Sequence, residues 1–148
     1  MEECEKHKRA LDVSLKKYDE LYDLVKAEKY PQARKKADWE CGYCIEYGDI
    51  GGWRISCELY CPMARLKSSS YIDKGRSCYS IKTYRTVVSR VKILYYARGE
   101  EKWEKGRKVY IEYEPKVLGL EKEKKLCLTA IRRLQKLLKK HYERECGQ

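Results

Sequence analysis

Cys41-Gly42-Tyr43-Cys44, followed after twelve residues by Cys57-Glu58-Leu59-Tyr60-Cys61-Pro62, is the stretch on which the reading of this chain turns. Two cysteine pairs, C-x2-C and C-x3-C, bite one ion from tight turns, and the loop between them brings the second pair round to close a tetrahedral thiolate site. Cys78 lies within reach in sequence, so five cysteines, Cys41, Cys44, Cys57, Cys61 and Cys78, compete for four places. Structural Zn2+ is the first reading. An iron–sulfur cluster is the rival, because thiolates hold clusters too and a proline directly after a ligand, as in Cys61-Pro62, is a feature of some cluster motifs. Disulfides are the third, and spacing alone assigns no partners.

Around this stretch the sequence predicts a mainly α single domain spanning 1–148: a bundle of about three helices with a small metal-bound β-hairpin/loop insert. Apolar residues recur at helical spacing from Glu5 to about Tyr30 (Leu11, Leu15, Tyr18, Leu21, Tyr22, Val25), so 1–30 reads as an N-terminal amphipathic helix that Pro31 stops. Residues 32–40 read as a connector. The insert covers 39–78, where Ile45-Glu46-Tyr47 and Trp53-Arg54-Ile55-Ser56 flank a glycine-rich loop and read as a hairpin with one cysteine pair at each end. Helices follow over 81–98, with Gly99 as a C-terminal cap, and over 120–145. Lys108 to Glu114 alternates like a strand, yet a strand needs a partner and only the metal hairpin offers one. Cys4, Cys127 and Cys146 read as isolated, Cys127 on an apolar helix face.

The formal charge of +11 is uneven. Residues 1–40 are neutral, 41–99 carry +6 and 100–148 carry +5. Between Asp73 and Glu100 there is no acidic residue, and six of the ten bases in 41–99 are arginine. Arginine contacts phosphate and tyrosine stacks on bases, so Arg54, Arg65, Arg76, Lys82, Arg85, Arg90 and Lys92, interleaved with Tyr71, Tyr79 and Tyr84, are the candidate nucleic-acid-binding face. The bases of the last helix, Arg132 to Lys140, have a plainer reading: cations near a helix C-terminus complement its dipole. A charged fraction of 39% with fourteen tyrosines and no phenylalanine resembles heat-adapted proteins, where intracellular disulfides also occur.

No signal peptide and no apolar run long enough for a membrane span is visible, which predicts a cytoplasmic protein. Nothing reads as catalytic. His7 and His141 lie far in sequence from the clustered cysteines and read as surface or helix-end residues. Glu112 and Glu114-Pro115-Lys116, with Asp49 upstream, spell the acid-x-lysine pattern of some nucleases, but Pro115 interrupts the strand that must present it. A zinc filled by four thiolates leaves no position for a reactive water.

The order of an amphipathic helix, Cys-Gly-Tyr-Cys, Cys-Glu-Leu-Tyr-Cys-Pro-Met, Cys78 with Tyr84 beyond it, and a closing helix with Leu134, Leu137 and Leu138 resembles a group of small cysteine-motif proteins of phages and related mobile elements. The chain departs from that pattern in its C-x3-C and in lacking the Thr-Gly and Thr-Pro-Tyr that surround the last cysteine there. The resemblance implies a virus- or plasmid-borne accessory protein in the host cytoplasm, raises Cys78 as a ligand, and carries no activity. The expectation is therefore a zinc-stabilised basic binding protein whose partner is nucleic acid, with a host protein or an iron–sulfur function as the alternatives.

Overall fold

The protein, as a computed structural model, is described over residues 2–38, 42–47, 62, 81–112 and 120–147. It is mainly helical with one small antiparallel hairpin: α1 (Glu2–Lys26), α2 (Tyr30–Asp38), α3 (Gly42–Tyr47), α4 (Lys82–Arg98), β1 (Gly99–Glu104), β2 (Arg107–Glu112) and α5 (Leu120–Cys146).

The two long helices form the spine. Their apolar stripes, Leu11, Tyr18, Leu21 and Val25 on α1 and Cys127, Ile131, Leu134 and Leu138 on α5, are buried against one another. They run antiparallel, as three links at well-separated levels require: Cys4 to Cys146, Leu15 to Gln135 and Asp19 to Arg132. Helix α4 adds Val87, Val91 and Leu94 to the same core, and α2 adds Tyr30, Ala33 and Ala37.

The first helix does not reach Tyr30. It ends at Lys26 because Glu28 takes a left-handed conformation (φ 61°), and the amides of Glu28 and Lys29 turn back to the carbonyls of Val25 and Leu24 at 3.0 and 2.9 Å. That pair of bonds is a Schellman stop, which satisfies carbonyls the helix end leaves open. Pro31 then sits in the first turn of α2, where its missing N–H is no loss because first-turn amides have no intrahelical acceptor. The expected connector over 32–40 is thus mostly helix, and Pro31 belongs to a start rather than a stop.

The expected hairpin around residues 45–47 is corrected too. Ile45-Glu46-Tyr47 lies on α3, whose Tyr43 and Tyr47 are four residues apart on one buried face, with rings stacked at 6.5 Å. Burial repeats here with the helical period rather than the strand period. Gly42 makes the close approach possible, since a Cβ there would run into the Ala10 carbonyl and the Val13 side chain, and its amide donates to Ser14 Oγ at 2.9 Å. The other expected strand, Trp53 to Ser56, and with it the metal-bound insert, lie outside the described residues.

The strand near Lys108 does exist, as Arg107–Glu112, and its partner is Gly99–Glu104. Lys105 (φ 48°) and Gly106 (φ 79°) form the two-residue turn, with both centres left-handed as a type I′ turn requires. Gly99 caps α4 as expected, in an extended conformation (φ −176°) that any residue adopts. It is small for another reason: a Cβ would strike the Tyr110 ring and the Ile111 carbonyl. Tyr110 stacks on Tyr95 at 4.2 Å and donates its hydroxyl to the Tyr95 carbonyl at 2.5 Å, which docks the hairpin on α4. Arg34 of α2 closes the corner, 2.9 Å from Glu101 and 2.7 Å from the Tyr96 hydroxyl.

Candidate nucleic-acid interface and the cysteine–histidine end

Of the expected metal ligands, Cys41, Cys57, Cys61 and Cys78, and the side chain of Cys44, lie outside the described residues. So do Arg54, Arg65 and Arg76, and of the nuclease-like pattern all but Glu112, the last residue of β2. Lys82, Arg85, Arg90 and Lys92 are all on α4, but they are not equivalent. Lys82 and Lys92 are exposed. Arg90 is taken up by Glu123 of α5 at 2.9 Å, and Arg85 is half-buried with its Nε lacking a hydrogen-bond partner among the described residues. Tyr84, expected to stack on bases, is half-buried against the core.

A larger cationic surface lies on α5. From Lys124 to Tyr142 the helix carries seven basic residues and no acidic one. Arg132, Arg133, Lys136, Lys139 and Lys140 are exposed. At about 1.5 Å rise per residue, Arg133, Lys136 and Lys140 form one line along the outer face. Among the described residues, no carboxylate forms an ion pair with these three.

Arg132 does have partners. It binds Asp19 at 2.7 Å and lies 3.8 Å over the Tyr22 ring, while Gln135 bonds the Leu15 carbonyl and Asp19. The Gln135 amide and the Arg132 guanidinium hold the Asp19 carboxyl below the usual carboxylate range. Two cavities flank this network. One of about 310 Å³ is lined by Tyr22, Leu128, Thr129, Arg132, Arg133 and Lys136. The other, of about 260 Å³, is lined by Leu15, Asp19, Arg132, Gln135, Lys136 and Lys139.

The hairpin tip is a third exposed feature. Trp103 is 70% exposed, and Lys102, Lys105, Arg107 and Lys108 surround it in sequence, Lys108 standing 6.0 Å from its ring. At the hairpin's base, burial and the hydrogen bond to Glu101 push the Tyr95 hydroxyl up to about 12, so it remains a proton donor.

At the opposite kind of surface, fully inside, the two histidines meet. His7 and His141 are 1% and 3% exposed, which corrects their reading as surface residues. Their rings are 5.7 Å apart. His7 Nε2 is 2.9 Å from the Tyr43 hydroxyl, and His141 Nε2 donates to the Pro62 carbonyl at 2.7 Å. Tyr43 lies inside the C-x2-C pair and Pro62 directly follows Cys61, so each histidine fastens one flank of the cysteine stretch to the spine. The spacing holds a signal of this: His7 continues the Leu11, Ser14, Tyr18 stripe and His141 continues Ile131, Leu134, Leu138.

Cys4 and Cys146, expected to be isolated, form a disulfide with Cα atoms 5.6 Å apart. A cross-link closing a loop of this length stabilises by about 5 kcal/mol in the chain-entropy picture. Cys127 is a free thiol in the core, and burial pushes it up to about 12. A thiol so placed stays protonated and packs as a small apolar side chain. No helix among the described residues is long and apolar enough to cross a membrane.

No protein-family model, curated protein or solved structure matches the chain.

Proposed function

We propose that the protein is a small basic nucleic-acid-binding protein, the accessory factor of a virus or mobile element, and that it acts by binding rather than by catalysis. The observation that carries this reading is the outer face of α5, where Arg133, Lys136 and Lys140 line up with no carboxylate among the described residues to neutralise them. Cations so arranged release the counterions condensed on a phosphate backbone, and the gain grows with each phosphate neutralised. Lys82 and Lys92 of α4 add two more exposed cations. Trp103 supplies what phosphate contacts lack: an exposed aromatic face among cations, on which an unpaired base stacks whatever its identity.

The zinc reading of Cys41, Cys44, Cys57, Cys61 and Cys78 stands on their spacing and belongs to the same proposal. The metal's part is to hold the stretch carrying Arg54, Arg65 and Arg76 in one shape. An iron–sulfur cluster would fill the same ligands. A second reading of those cysteines, as disulfides, is favoured by the Cys4–Cys146 bond, because conditions that keep one disulfide closed suit others as well. The alternative of a host-protein partner on α1 is weakened by burial, since its Leu11, Tyr18, Leu21 and Val25 stripe is used inside the domain.

The test is anisotropy of labelled duplex and single-stranded oligonucleotides titrated with the full chain. Retention at low salt that falls steeply as salt rises supports the reading. No retention of either at low salt overturns it.

A further inference from the structure

The Cys4–Cys146 bond stands among three other groups with metal-binding atoms. Cys4 and His7 are three residues apart in the first turns of α1, and His141, Glu145 and Cys146 end α5; antiparallel packing of the two helices brings both sets together. His7 Nδ1 is 3.9 Å from Cys146 Sγ and 3.8 Å from Glu145 Oε1. Glu145 Oε2 is 3.8 Å from His141 Nε2.

These separations have a meaning. Zinc with sulfur at about 2.3 Å and nitrogen or oxygen at about 2.0–2.2 Å, in tetrahedral arrangement, puts neighbouring ligand atoms about 3.4 to 3.8 Å apart. Cys146 Sγ and Glu145 Oε1 already lie near that distance from one nitrogen. With the disulfide closed the two sulfurs are bonded to each other, and no group of three or more His, Cys, Asp or Glu among the described residues is set to hold a metal.

We infer that reduction of Cys4–Cys146 creates a zinc site from the two freed sulfurs, His7 Nδ1 and the Glu145 carboxylate. The chemistry balances. A dithiol reductant delivers two electrons and two protons, closing into its own disulfide as the Cys4–Cys146 bond breaks to two thiols; zinc then displaces both thiol protons. The remaining groups suit the role. His7 Nε2 faces the Tyr43 hydroxyl, the outer hydrogen bond that fixes a ligating imidazole's ring and leaves the other nitrogen for the metal. Cys4 is in the first turn of α1, where helix amides stabilise an anionic sulfur. His141, held by Pro62, is a positioning residue that faces Glu145 rather than a ligand.

The experiment uses the full chain, freed of metal and titrated with Co2+, whose charge-transfer bands report bound thiolates. Oxidised protein is compared with protein reduced by a dithiol that is then removed without air. Reduced wild type binds one Co2+ per chain more than the oxidised form, with added sulfur-to-cobalt absorption. Reduced Cys4→Ser/Cys146→Ser loses that extra equivalent; reduced wild type also lacks the disulfide, so it is the matched control for folding. His7→Gln weakens the extra site at least tenfold, whereas Cys127→Ala leaves it unchanged. No added equivalent on reduction overturns the inference, as does an added equivalent that survives Cys4→Ser/Cys146→Ser, since it then belongs to the other cysteines. Equal affinity in His7→Gln overturns it as well.

Discussion

Helices α4 and α5 both carry basic residues on their outer sides, and they differ in what surrounds those residues. On α4, Arg90 is paired with Glu123 and Arg85 is half-buried, so of the four candidates there only Lys82 and Lys92 face water freely. On α5, Arg132 is paired with Asp19, while Arg133, Lys136 and Lys140 keep their charge for an outside partner. The sequence favours α4, because no acid occurs between Asp73 and Glu100 and arginine is enriched. What neutralises a cation, however, is the carboxylate beside it in space, and Glu123 is thirty-three residues from Arg90. Charge counted along a chain and charge available at a surface are different quantities.

The difference between the two helices can be measured directly. Reversing Arg133, Lys136 and Lys140 together to Glu is expected to weaken oligonucleotide binding more than a hundredfold at low salt, and to flatten the salt dependence by roughly 0.9 for each phosphate no longer neutralised. Lys82→Glu/Lys92→Glu is expected to weaken binding about tenfold or less. Anisotropy titrations at several salt concentrations rank the two, and an inverted order would return the interface to α4.

Trp103→Ala comes next. Stacking is worth about 1–3 kcal/mol per base, so single strands lose roughly 5- to 160-fold in affinity while duplex binding changes little. The salt slope stays the same, because no cation is removed.

Glu123→Gln frees Arg90 without touching the basic line on α5. If pairing is what silences α4, affinity rises about two- to threefold, as one more exposed cation reaches phosphate. An unchanged affinity would place α4 away from the bound strand altogether.

The smallest effect concerns Asp19, which does to Arg132 what Glu123 does to Arg90. Its carboxyl is held low by Gln135 and Arg132, so its contribution to stability is complete above about pH 4 and is lost as pH falls through its lowered folded value. The pair is largely exposed, and solvent screening limits it to about half a kcal/mol. Thermal melts at pH 3 and pH 6 should therefore show a slightly smaller pH dependence for Asp19→Asn than for wild type.

Much of the spine is legible in the sequence, because Leu11 to Val25, Val87 to Leu94 and Cys127 to Leu138 keep the helical period that packing demands. Boundaries are harder to read where a single residue has two uses. Pro31 closes a helix or opens one, and the decision rests with Glu28, whose left-handed backbone no propensity foretells. Strand β1 is hidden because Gly-Glu-Glu-Lys-Trp-Glu is held by its partner strand and by Arg34 and Tyr95 on Glu101 rather than by an apolar face. The histidine pair and the Cys4–Cys146 bond depend on helices meeting across more than 130 residues, a distance that local patterns do not span.

Joining Cys4 to Cys146 closes the stretch between them into a covalent ring in the oxidised chain. A protease that severs one peptide bond anywhere inside that ring leaves a single covalent molecule, which separates into two fragments only once the bond is opened.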